Sequence, residues 1–250
     1  MRPAYQDLTF MSPLSNQRAG ELVRFLASGL DGTVLDIGCG WAELLLRVVA
    51  AAPTCRGVGI DTDATSISHG KLLAEQRGLI ERVTLIRGDA KTDGPSHADA
   101  LICIGSSQIW GPPVEDNQPL DYDSALTALR AKVRRGARVV YGEGIWSRPP
   151  TPAAVAPLSG RLDELITLAE LVDLAAARGF MPVAVHEANI DEWDEFESGY
   201  SARYAWWLAE HGLDHPDANE ILAMANRQRT GYLSGYRNIM GMAYLALLAI

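Results

Sequence analysis

Asp36, Gly38 and Gly40 close the run Thr33-Val34-Leu35-Asp36-Ile37-Gly38-Cys39-Gly40. The run reads as a buried strand, then a carboxylate near its end, then a turn on two glycines. A helix-forming stretch, 41–52, follows. Glycines at such a turn let backbone N–H groups come close to a ligand, and the next helix aims its N-terminus at the same place. A second strand, 55–60, is followed by Asp61. An acid about 20 residues beyond a glycine turn is placed to grip the hydroxyls of a ribose. A third strand, 83–87, ends in Gly88-Asp89-Ala90. Three successive strands ending in glycine or acid outline an adenosine pocket.

The glycines narrow the choice of nucleotide. The dinucleotide fingerprint G-x-G-x-x-G needs a third glycine for close packing under a pyrophosphate. Here that position is Glu43, a carboxylate facing the wrong way electrostatically. Small residues fall instead at 38, 40 and 42 (Gly, Gly, Ala). This spacing, with Asp36 just ahead, resembles the first motif of class I S-adenosylmethionine (SAM) methyltransferases, with Ala42 in place of their usual third glycine. A nicotinamide-dependent reductase is the distant alternative.

The resemblance runs from about residue 8 to residue 250. It implies SAM as cofactor and S-adenosyl-L-homocysteine (SAH) as product. It also implies that Asp61, with Thr62 beside it, holds the ribose hydroxyls. The Asp89 carboxylate and the Ala90 amide then recognise adenine. The fourth strand, 98–104, matches the one whose end lies under the methionine portion, at Ile104 and Gly105. Asp36, Gly38, Cys39 and Gly40 complete the expected cofactor set. A narrower bacterial group is also similar, through Ser12-Pro13-Leu14-Ser15, through Gly142-Glu143-x-x-Trp146, and through Trp193-Asp194 in a late helix.

Methyl transfer is an in-line displacement, so positioning alone can supply several kcal/mol. An oxygen or sulfur nucleophile of high pKa also needs a base. Glu143 is the candidate, because a carboxylate just past a buried strand is costly without purpose or partner. An ion pair with Arg148 or Arg237 is the competing reading. Acceptor-facing groups are expected from four places. They are the N-terminal arm (Tyr5, Ser12), the end of the fourth strand (Gln108, Trp110), Trp146 beyond the fifth, and a late insertion (Trp193, Tyr232, Tyr236, Arg237). The five histidines are scattered, and no metal site is expected.

These residues need a frame. Helices are expected at 14–30, 62–77, 122–135 and 164–178. Further strands are expected at 138–142, 181–186 and 238–248. Residues 112–119 and the proline-rich 148–157 read as loops. Alternating strands and helices give a parallel sheet with right-handed crossovers. The resemblance implies a Rossmann-like, doubly wound sheet of order 3-2-1-4-5-7-6, strand seven antiparallel. Residues 1–250 then form one domain, with 1–30 as arm and first helix. Residues 187–237 separate strands six and seven where a hairpin would suffice. Their aromatic stripe, Trp193, Phe196, Tyr200, Arg203 and Trp207, recurs at helical spacing. It serves either as core packing or as a cap over the acceptor.

A chain of 250 residues can bury a sizeable core, and its net charge of −9 repels phosphate backbones. The basic run 130–135 reads as a helix C-terminus complementing the dipole. Cys39, Cys55 and Cys103 are too few and too spread for a disulfide framework. The N-terminus has no signal-peptide pattern, and the apolar 240–250 stretch is too short to span a bilayer. The expectation is a cytoplasmic enzyme on a small molecule, without nucleic-acid or membrane partners, as monomer or homodimer. A non-catalytic SAM-binding protein and a methyltransferase of macromolecules are the two alternatives.

Overall fold

The computed structural model describes residues 1–112 and 117–250. Seven strands form one sheet in the order β3-β2-β1-β4-β5-β7-β6. They are β1 Thr33–Ile37, β2 Arg56–Asp61, β3 Val83–Arg87, β4 Ala98–Ile104, β5 Val133–Trp146, β6 Phe180–Glu187 and β7 Met240–Ala249. β1 to β5 run parallel, and β7 runs antiparallel to both β5 and β6.

Side chains alternate between two apolar layers. Ala100 and Ile102 of β4, Val140 of β5 and Met242 and Tyr244 of β7 face one layer. Leu101, Cys103, Val139, Tyr141, Ala243 and Leu245 face the other. The first layer takes α1 (Asn16–Ala27), α2 (Glu43–Ala51) and α3 (Ala64–Gln76); the second takes α4 (Tyr122–Ala131) and α6 (Leu168–Ala177). Period-two burial on both faces is what a helix-covered parallel sheet requires. α1 buries Ala19, Leu22, Val23 and Leu26, a single helical stripe, and its Ser15 cap accepts from the Arg18 amide.

Three expectations change. The fourth helix stops at Ala131, not at 135, and β5 begins at Val133. Gly136, with φ 84°, lies in the irregular stretch where β5 slips register against Ala98 and Ala100. The basic run is therefore divided: Arg130 lies in the helix's last turn and Lys132 caps it, while Arg134 and Arg135 belong to β5. The fifth strand reaches Trp146, four residues beyond expectation, because β7 pairs with it along its whole second half. Within 148–157 lies a short helix, α5 (Pro152–Val155), capped by the Thr151 side chain. Of the loop expected at 112–119, residues 113–116 lie outside the described residues.

The insertion is two helices and a wide turn. α7 (Ile190–His211) starts in a capping box of Asn189 and Glu192, α8 is Ala218–Thr230, and a π-helical turn over Gly231–Tyr236 leads into β7. Among the described residues, no helix is long and apolar enough to cross a membrane.

Candidate active site

The turn after β1 is held by its neighbour strand. Gly38 N and Cys39 N both donate to the Ile60 carbonyl. Gly38 has φ 67°, and a Cβ there would lie 1.9 Å from Ser106 Oγ. Gly40 has φ 53°, and Ala42 follows at φ 62° as the residue capping α2. The third small position is thus left-handed too, a conformation that costs an alanine about 1 kcal/mol.

Asp61 is oriented before any ligand arrives. Its Oδ2 accepts from Gly40 N and its Oδ1 from Asp63 N, both at 2.8 Å. A carboxylate has about four lone-pair sites, so two remain for a pair of hydroxyls. Asp36 is 4% exposed. Burial, then the charge of Asp61, pushes its pKa up to about 8. Cys39 carries a thiol pushed well up by the same surroundings.

These groups line one cleft at the carboxyl ends of β1, β2 and β4. Asp36, Gly38, Cys39, Gly40, Asp61, Ile104 and Gly105 are in its wall, with Trp41, Glu43 and Ser106. Thr62, Asp89 and Ala90 are not, although Asp89 stands on the adjoining strand end, where Gly88 N donates to the Asp61 carbonyl. The Asp89 segment is folded back by Asp93, whose Oδ2 accepts from Asp89 N at 2.8 Å. Among the described residues no lysine, arginine or histidine lines the cleft, whereas three acidic side chains do. Glu43 is neutralised by Arg47 and Arg77, each at 2.7 Å. That lining suits a cationic ligand and is poor for a pyrophosphate.

The other wall is the N-terminal arm. Phe10, Met11, Ser12 and Leu14 line the cleft. Trp41 Nε1 donates to the Thr9 carbonyl at 2.9 Å. Tyr244 OH donates to the Pro13 carbonyl at 2.9 Å and meets Ser12 Oγ at 2.6 Å. Glu192 at the start of α7 accepts from Ser15 N and bidentately from Arg18. Burial alone would raise the Glu192 pKa, but the donors from Arg18, Ser15 and Asn189 outweigh it and bring it to about 2. Leu8 rests on Gly199 of α7, where a Cβ would lie 2.3 Å from Leu8 Cδ2. The sequence marked Ser12 but missed Phe10, Met11 and Leu14. Their apolar spacing ahead of the first helix was the available signal.

The remaining expected acceptor residues divide. Gln108 lines the cleft. Tyr5 stacks on His69 with centroids 3.8 Å apart and braces Trp41, outside the cleft wall. Trp110 packs against the second apolar layer. Trp146 belongs to that layer as well and donates its Nε1 to the Leu162 carbonyl, so it is a core residue, not an acceptor contact. Trp193 and Tyr236 are buried behind the arm, in one apolar cluster with Phe10 and Leu14. Tyr232 and Arg237 both bind Asp194 and face a different cavity.

Glu143 makes neither ion pair expected of it; Arg237 is taken by Asp194. It is 7% exposed, accepts from Ser107 N at 3.0 Å and from its own neighbour Gly144 N at 2.9 Å, and does not line the cleft. Burial raises its pKa, which those donors oppose. Its contacts fix the turn of Ser106 and Ser107 rather than reaching the cleft. Among the described residues no group of three metal-ligating side chains occurs.

Residues 34–117 match a methyltransferase domain family. The chain is 26% identical to the uncharacterized protein YjhP of Escherichia coli, over 95% of this chain and 93% of that one. A SAM-dependent methyltransferase from Geobacter sulfurreducens, crystallised with SAH, superposes with a TM-score of 0.83 at 26% identity, covering 99% of this chain and 96% of that one. The 8-amino-8-demethylriboflavin N,N-dimethyltransferase of Streptomyces davaonensis is 31% identical over 65% of this chain, which spans 46% of that enzyme.

Proposed function

We propose that this chain is a class I SAM-dependent methyltransferase and that it methylates a small organic acceptor that is neutral or cationic. The observation that carries the proposal is the cleft wall: Asp61 and the buried Asp36 lie in it, Glu43 is already ion-paired with Arg47 and Arg77, and among the described residues no basic side chain lines it. An anionic acceptor, a phosphate backbone above all, meets unfavourable charge there. On the arm side the cleft is lined by Phe10, Met11 and Leu14, a wall suited to an apolar molecule of modest size. The Streptomyces davaonensis relative, whose name gives a riboflavin derivative as substrate, is consistent with this class.

The residues fit SAM. Asp61, preset by two backbone amides, is the ribose ligand; Asp89 and Ala90 bracket adenine; Gly38, Cys39 and Gly40 give close backbone approach along the amino-acid portion, with Ile104 and Gly105 beneath it. SAM supplies an electrophilic methyl on a sulfonium that loses its charge in the transfer. Asp36 and Asp61 balance that positive charge while it lasts. The arm excludes water, and Ser12 and Gln108 offer hydrogen bonds that orient the acceptor. Glu143 is a positioning residue, because it shapes the Ser106–Ser107 turn.

The test is transfer of tritiated methyl from SAM in a bacterial extract separated into small-molecule, protein and RNA fractions. Label in the small-molecule fraction, on a species retained as neutral or cationic, is the expected result. Label confined to protein or RNA overturns the proposal.

A further inference from the structure

The insertion contains a second cavity, of about 710 Å³, that shares no wall residue with the cofactor cleft. It lies between α7 and α8. Ala205, Leu208, Ala225 and Leu233 are its apolar walls, and Tyr204 and Tyr232 bring aromatic rings. Its volume falls in the range of small-molecule sites.

Glu197 gives the cavity its chemistry. It is 6% exposed and lines the wall. Buried carboxylates are paired with cations as a rule. Glu43 has Arg47 and Arg77, and Glu192 has Arg18. Glu197 instead accepts from two neutral donors, Tyr236 OH on Oε1 and Gln228 Nε2 on Oε2, both at 2.6 Å. The two arginines in the wall are engaged elsewhere: Arg237 bidentately with Asp194, Arg229 with the Asn226 side chain. Each Glu197 oxygen keeps an acceptor site, since a carboxylate offers about four in all.

We propose that this cavity is a binding site for a small organic ammonium, its charge set against Glu197 and its alkyl groups against Tyr204 and Tyr232. Cations favour aromatic faces in this way, and the buried carboxylate supplies the counter-charge by close approach, with no N–H needed. The site is separate from methyl transfer and does not depend on the acceptor assigned above.

Choline is the test ligand and 3,3-dimethylbutan-1-ol its uncharged isostere, titrated calorimetrically into the intact protein saturated with SAH. Saturable one-to-one choline binding is expected, with none by the alcohol. Glu197→Gln should weaken choline at least about tenfold, the worth of one close counter-charge, and leave SAH affinity unchanged. Should Glu197→Gln lose SAH binding through misfolding, Ala225→Trp decides, because it adds bulk to the cavity wall without removing any hydrogen bond. It should abolish choline binding alone. No saturable choline binding, equal binding of the alcohol, or unchanged choline affinity in the folded variant overturns the proposal.

Discussion

The two walls of the cleft are built by different means. The sheet side is made by backbone: glycine turns, strand ends, and amides that aim Asp61. The arm side is made by long-range side-chain bonds, with Glu192 holding Ser15 and Arg18 from some 174 residues away and Tyr244 holding Ser12 from 232. A backbone-made wall keeps its shape when a side chain changes. A side-chain-made wall fails when one partner is lost, and it answers to pH.

The contrast breaks hardest at Glu192. Glu192→Ala leaves Arg18 largely buried without its partner and two amides without an acceptor. We expect a loss of about 3–5 kcal/mol in urea unfolding, the usual cost of an uncompensated buried charge. A loss below 1 kcal/mol would place the arm's stability elsewhere. Protonation probes the same bond. The folded pKa of about 2 lies below the ordinary 4.5, so this stabilisation is present above pH 4.5 and disappears as the pH falls toward 2. Its full size is about 3 kcal/mol, measurable from urea midpoints between pH 5 and 2.5.

On the sheet side the largest effect is on binding. Asp61→Ala should weaken SAM and SAH alike by about 100-fold, the worth of one or two charge-assisted hydrogen bonds to the ribose; it also takes the acceptor from the Gly40 and Asp63 amides. Calorimetric titration with both ligands checks this, and unchanged affinity would remove Asp61 from the site.

A smaller effect separates SAM from SAH. Asp36, with its pKa near 8 in the free protein, is largely protonated at neutral pH. A sulfonium nearby favours the carboxylate, so SAM binding releases a proton and tightens as the pH rises toward 8. SAH carries no sulfonium. The ratio of SAH to SAM dissociation constants should therefore rise with pH, by up to about tenfold for one unit of linked pKa shift. A flat ratio between pH 6.5 and 8.5 would place the sulfonium away from Asp36.

The smallest effect belongs to Ala42. Its φ of 62° is one that glycine adopts freely. Ala42→Gly should relieve that strain against a gain in unfolded-chain freedom, for a net change within about 1 kcal/mol, and leave SAH affinity intact. A loss above 2 kcal/mol would mean that the Ala42 methyl matters more than its backbone.

The same division explains what could be read in the chain beforehand. Gly38, Gly40 and Asp61 announce themselves because a turn's demands are met by residues next to it; alternation of strands with helices gives a parallel sheet, and its order comes only through the family resemblance. Tyr232, Tyr236 and Arg237 were expected at the acceptor because their types suit it. Their facing is decided by Asp194 and Glu197, 38 to 43 residues away, and no local pattern carries that choice. Trp146 has the same limit: period two along β5 says that it is buried, but not in which layer. Glu143 read as costly and unexplained; its partner, the Ser107 amide, lies on another strand's end.

Cys39 brings a thiol into the cofactor wall. As a thiolate it would be the strongest nucleophile in the cleft, and an electrophilic methyl group held there would alkylate the protein instead of its substrate. Burial, with Asp36 and Asp61 alongside, keeps the proton on sulfur, and Sγ spends it on the Gly40 carbonyl at 3.5 Å. In a SAM site, the acids that suit a cationic reagent would thereby also disarm the thiol that could quench it.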